Sequence, residues 1–278
     1  VKPLELVADC GRCTGLCCVL LPFRADSGFG TDKAGGDPCH HLAADDRCGI
    51  HSVLRASGWP GCTVFDCFGA GQHLTEHTYA GRSWRDPGAN RAEMGAVLSV
   101  LRLLHEAAAH LDEAVRRDPA PRDAATLLGE VTERAGGIPD ELLALDLDDL
   151  MPRVSAALRA ASSRVRGDGR PSYARADLAG RDLRRDDLRG ADLHGSTLIA
   201  ADLRGVDLDD ADLLGADVRD ADVRGSDLSR ALFLTRPQVA AMRGDGGTRL
   251  PAGMPAPGHW PAGDRGGGAA GRRGAAQE

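Results

Sequence analysis

From Ala176 onward the sequence reads ADLAG RDLRR DDLRG ADLHG STLIA ADLRG VDLDD ADLLG ADVRD ADVRG SDLSR ALFLT, twelve consecutive units of five residues. A period of five fits neither the α-helix nor the strand, whose side chains repeat every 3.6 and every 2 residues. The third position is apolar throughout: Leu178, Leu183, Leu188, Leu193, Leu198, Leu203, Leu208, Leu213, Val218, Val223, Leu228 and Phe233. Two residues earlier the side chain is usually small, as at Ala176, Ala191, Ser196, Ala201, Ala211, Ala216, Ala221, Ser226 and Ala231. Residues two apart face the same way in an extended segment, and the remaining two must turn a corner before the pattern restarts. Four corners close a square, so twelve units predict three coils, stacked at the strand spacing into a rod of roughly 15 Å. The large residues fill its centre, and the small ones let the walls approach.

These units closely resemble those of pentapeptide-repeat proteins, A(D/N)LxG. Over residues 176 to 235 the resemblance implies a right-handed quadrilateral β-helix. Arg181 and Asp186 break the pattern at inward positions. Enclosed there, they would cost several kcal/mol, so the first coil is expected to be frayed or to form the open end. The other end needs a cover against edge pairing. Thr235 and Gln238 fit a capping box, which predicts a short helix to about Arg243 that covers the coil. Residues 244 to 278 carry 11 Gly and 4 Pro in 35 positions, a composition that predicts disorder, although the stretch through Trp260 is able to lie on the rod.

The rest of the chain divides by composition, giving four expected regions: a Cys-rich domain over 1–84, a helical region over 85–170, the β-helix over 171–235, and a capping helix with a Gly/Pro-rich disordered tail over 236–278. In the second, Met94, Val97, Leu101, Leu104, Ala108, Leu111 and Val115 recur at helical spacing and predict a helix ending before Asp118 and Pro119. Pro121, Pro139 and Pro152 are placed to start three shorter helices, one of them ended by Gly136 and Gly137. His105 and His110 read as ordinary helix residues.

All eight cysteines lie in the first region: Cys10, Cys13, Cys17, Cys18, Cys39, Cys48, Cys62 and Cys67. That region holds few long apolar periods, and a covalent or metal staple is the expected remedy. A C-x2-C pair presents two thiolates from one tight turn, which suits tetrahedral zinc or the edge of an iron-sulfur cluster. Neighbouring Cys17 and Cys18 are poorly placed to bond to each other; as ligands they face two metals, or one binds while the other packs. Three readings stand: a bound metal or cluster, disulfides, and unligated reactive thiols. Under the first, two divalent ions or one cluster are expected, with His40, His41 and His51 as substitute ligands.

The same stretch, about residues 8 to 68, resembles the CxxCxxCC family of zinc- or iron-chelating proteins. The matching residues are Cys10, Cys13, Cys17 and Cys18, then Pro38, Cys39 and Leu42, then Cys48, Ile50 and His51, then Gly61, Cys62 and Phe65. Three residues rather than two separate Cys13 from Cys17, and Cys67 is additional. The resemblance implies zinc or iron without choosing between them.

The formal net charge of −7 argues against sequence-independent nucleic-acid or anionic-membrane binding. No apolar run approaches the span of a bilayer and the first residues lack a signal-peptide pattern, so the chain reads as cytoplasmic with reduced thiols. No GxxxxGK[ST], HExxH or GxSxG occurs, and GAGQ at 69–72 is a lone glycine turn. The leading expectation is a non-enzymatic, metal-binding interaction protein that meets a protein partner on the rod. Some pentapeptide-repeat proteins mimic duplex DNA and protect DNA gyrase from inhibitors, but residues 172–235 hold 14 Asp against 9 Arg, interleaved. An iron-dependent redox or modifying enzyme is the third reading.

Overall fold

In a computed structural model of the chain, residues 3–261 are described. They form two units, one of residues 3–169 with 235–237, the other of residues 170–234 with 238–261. Among the described residues no helix is long and apolar enough to cross a membrane.

The first unit is organised by one long helix. Its helices are α1 (Leu16–Leu20), α2 (Pro60–Thr63), α3 (Ala70–His73), α4 (Arg91–Arg117), α5 (Arg122–Ala135), α6 (Pro139–Leu143) and α7 (Leu147–Arg166). The Asn90 side chain starts α4 by accepting from the Glu93 N–H at 3.2 Å. The predicted stripe is buried from Met94 to Leu111, whereas Val115 is half-buried and Ala114 takes its place in the core. Helix α4 contacts α1, α3, α5, α6 and α7. The Cys-rich and helical stretches fall in one compact unit, in which α4 packs on α1 and α3 of the Cys-rich stretch. At the end of α4, Asp118 is fully buried and takes Arg164 of α7 in a two-pronged pair at 2.8 and 2.5 Å.

Two of the three prolines stand where expected, Pro121 at the N-cap of α5 and Pro139 in the first turn of α6, and Gly136 caps the end of α5. Pro152 does not start a helix: it lies inside α7, which begins at Leu147 because the Asp146 carboxylate accepts from the Asp149 N–H at 2.9 Å. Local capping thus outweighs the loss of one backbone donor at Pro152.

In the second unit, isolated parallel bridges join residues about twenty apart, one set for each wall of a square coil: Ser172, Asp192, Asp212 and Leu232; Asp177, Thr197 and Asp217; Asp182, Asp202, Asp222 and Arg243; Asp207, Asp227 and Arg249. All twelve central residues from Leu178 to Phe233 are buried. The rod is longer than the expected three coils, since the coil starts at Ser172 and two walls gain a further rung from Arg243 and Arg249. Arg181 and Asp186 are exposed in the first coil, as expected of an open end. The fifth position turns through the left-handed region at Gly in six units and at Ala200, Asp210 and Asp220 with φ of 54°, 56° and 58°; Arg175, just ahead of the first unit, does the same at 59°.

Helix α8 (Arg236–Ala241) follows the last unit. The Gln238 Nε2 donates to the carbonyls of Leu213 and Ala216 at 2.8 and 3.0 Å. Val239, Met242 and Trp260 join the core of the rod. The disordered tail expected from residue 244 is corrected at its near end, because residues 244–261 are ordered: Arg249 completes a rung, and the Trp260 indole donates to the Met242 carbonyl at 3.1 Å. The remainder of the expected disordered tail lies outside the described residues.

Candidate functional site

Short segments with tight turns gather the thiols. The Asp9 side chain accepts from the Gly11 N–H at 2.8 Å and starts a 3-10 turn over Cys10–Arg12. Gly15, at φ 68°, then leads into α1, which carries Cys17 and Cys18. The Cys39 N–H bonds to the Cys18 carbonyl at 2.8 Å, Leu42 bridges Cys48, and Pro60 opens the short α2 that carries Cys62. All eight cysteines are free thiols, so the disulfide reading finds no bridge.

Six of the eight, Cys10, Cys13, Cys17, Cys18, Cys48 and Cys62, line one cavity of about 620 Å³ together with His51. His40 and His41, the other imidazoles expected as substitute ligands, instead stack on each other and against Trp59, with ring centroids 5.5 and 5.1 Å from it. Cys39 and Cys67 lie outside the cavity wall, each beside part of it. Cys18, Cys39, Cys48 and Cys62 all pack in one cluster with Phe23, Leu54 and Trp59. Cys13 and Cys67 both lie against Gly71 of α3, where an added Cβ would meet their sulfurs at 3.0 and 3.6 Å. Helical glycine is otherwise costly, and here the missing side chain is what admits the two thiols.

Burial pushes up the thiols of Cys10, Cys39 and Cys48, and it drives Cys13 to about 11 and Cys62 to about 12. After burial, the largest influences on Cys62 are Cys18, Cys39 and Cys48, and the largest on Cys10 is Cys67. Between the neighbours Cys17 and Cys18, whose sulfurs are 3.9 Å apart, the shared hydrogen bond holds Cys17 well above the ordinary thiol range and Cys18 below it. Lys33 also favours the Cys18 thiolate. A set of gathered thiols has the chemistry of a soft-metal donor set, in which the cation stabilises the thiolates and the protons are released. As the side chains stand, no three His, Cys, Asp or Glu among the described residues converge on one point as metal ligands.

Some residues around the site had no signal in the sequence. Lys33 threads its ammonium among the carbonyls of Val19, Leu21, Ala34 and Asp37 at 2.6–3.0 Å, with the Phe23 ring 4.6 Å away. His73 on α3 lies edge-on to both His77 and His105, at 5.2 and 5.0 Å. His77 belongs to a π-helical turn over Leu74–Thr78. His105 is buried, its Nδ1 is 2.8 Å from the Phe68 carbonyl, and burial pushes it down to about 4. Burial also pushes His73 down.

On the rod, each wall aspartate accepts from the N–H two residues on, as at Asp182, Asp202 and Asp222 with 3.2–3.3 Å. On that wall Arg184, Arg204 and Arg224 pair with the aspartate of their own rung at 2.6–2.7 Å. Arg184 and Arg204 also reach the next rung, at 3.3 and 3.7 Å. The result is a charge-balanced ladder.

A square coil with this fivefold sequence period is the architecture of the pentapeptide-repeat class, and a family model described as pentapeptide repeats matches residues 174–210 and 191–230. The likeness extends well beyond the rod. Over 265 residues, 92% of this chain and 95% of its relative, the sequence is 45% identical to the uncharacterized protein YybG of Bacillus subtilis (strain 168), and the chain belongs to the YybG family of pentapeptide-repeat proteins.

Proposed function

We propose that this is a cytoplasmic, metal-binding interaction protein without turnover, in which the eight thiols hold zinc or iron and the rod presents a rigid surface to a protein partner. The observation that carries this reading is the collection of six cysteines and His51 around one cavity, in the segment that has the least apolar core of its own. The resemblance of residues 8–68 to the CxxCxxCC family supports the same chemistry. Thiolates suit zinc and iron over magnesium or calcium. The metal would fasten the loops that α4 alone does not hold. Against duplex mimicry of the gyrase-protecting kind stands the Asp–Arg ladder, which breaks the continuous negative stripe that such mimicry needs.

Metal analysis and thiol titration of anaerobically purified protein test the proposal. Stoichiometric zinc or iron with few titratable thiols is expected. A metal-free protein with eight reactive thiols would overturn it. Alteration of gyrase supercoiling by the protein would reinstate the mimicry reading.

A further inference from the structure

Resting on the metal reading above, we infer that the eight thiols divide into two separate four-thiol centres, Cys18, Cys39, Cys48 and Cys62 forming a closed one, and Cys10, Cys13, Cys17 and Cys67 an exchangeable one. The division follows from packing. The first four share a cluster walled by Phe23, Leu54 and Trp59. In the second group, Cys13 and Cys67 meet at Gly71, which is not part of that cluster. Cys17 and Cys18 are adjacent on α1 with sulfurs 3.9 Å apart, so this pair is where the two sets adjoin, one thiol to each. Four thiols in each set complete a tetrahedral site without histidine.

The two sets differ in access. Thiols of both sets line the one cavity, but the first includes Cys39, which is buried, whereas the second includes Cys10, which is exposed. No thiol set is closed on a single point as it stands, so binding draws the four sulfurs of each set together by side-chain rotation. Each dication that binds replaces the protons of its thiols and releases them to solvent. A chelator attacks by taking over ligands one at a time. The centre that opens through Cys10 therefore yields its ion first, while the one behind Trp59 holds its ion until the segment opens.

Zinc is the probe, loaded anaerobically into the full chain. Two zinc ions per chain are expected, with one released to a colorimetric chelator at least tenfold faster than the other. Cys10→Ser should abolish the fast phase and leave one slow zinc. Cys39→Ser should remove the slow phase, and if that variant is unstable, Cys62→Ser or the tetrathiolate charge-transfer bands of the two-cobalt protein provide the second reading. Zinc bound at one ion per chain, or two ions released in a single phase that Cys10→Ser and Cys39→Ser affect alike, overturns the division while leaving the metal reading intact. Absence of bound zinc overturns both.

Discussion

Lys33 and His110 show how much single buried groups contribute in the first unit. The Lys33 ammonium lies within hydrogen-bond distance of four backbone carbonyls, of which those of Val19 and Ala34 also accept from the N–H groups of Gly36 and Asp37. Lys33→Met is expected to cost about 2–3 kcal/mol, the scale of hydrogen bonds to a charged group. Lys33→Arg should not restore it, because a planar fork does not fit where a point charge sits. Chemical denaturation followed by Trp59 fluorescence checks both. His110 is buried, and burial alone pushes it down to about 4. Between the unfolded value near 6.5 and about 4 the unfolded chain binds the extra proton, so stability falls as pH drops through that window. His110→Leu should therefore be more stable than the parent at pH 5 by about 2 kcal/mol relative to the same comparison at pH 8. Parallel pH profiles for the two proteins would contradict this. Neither residue was legible in the sequence: a lysine in GTDKAGG looks like any loop lysine, and helical spacing alone does not say which polar residue α4 will bury.

Elements were legible where their cause is local. The pentad pattern specified the rod, its inward residues and its exposed first coil, because each unit repeats the same backbone turn. The stripe on α4 was equally plain. What escaped was competition between local signals, as at α7, where Asp146 starts the helix and Pro152 is merely tolerated inside it. The thiol grouping escaped for a different reason. Cys62 and Cys67 are near in sequence, yet one packs beside Trp59 and the other against Gly71, because the chain reverses between α2 and α3. Within the rod, Ala200 holds φ 54° where half of the units have Gly, at a cost on the order of 1 kcal/mol. Ala200→Gly should raise the urea midpoint of the rod and Gly205→Ala should lower it. Leu203→Ala, at a residue 1% exposed, should cost about 3 kcal/mol by the cavity it leaves. Circular dichroism during urea titration distinguishes all three.

At the scale of the whole molecule, two units with separate kinds of stabilisation imply separate responses. If the thiols hold metal as proposed, its removal should lower the thermal midpoint of the Cys-rich unit while leaving that of the rod unchanged, since the rod holds no thiol; differential scanning calorimetry with and without chelator measures this. The ladder of Arg184, Arg204 and Arg224 adds little stability, because exposed ion pairs rarely contribute more than about 1 kcal/mol each. Its effect is on the character of that wall, which alternates charge at a spacing set by the coil.

The terminal rung has one more consequence. Arg243 and Arg249 pair with Asp222 and Asp227 on two particular walls, so the cover is keyed to an orientation as well as to an end. Adding a single five-residue unit ahead of it would turn the cover by a quarter revolution and set both arginines against the wrong walls. Adding four units would return it to register. A rod of this kind is thus free to lengthen by duplication only in whole revolutions, and its length is inherited in steps rather than adjusted continuously.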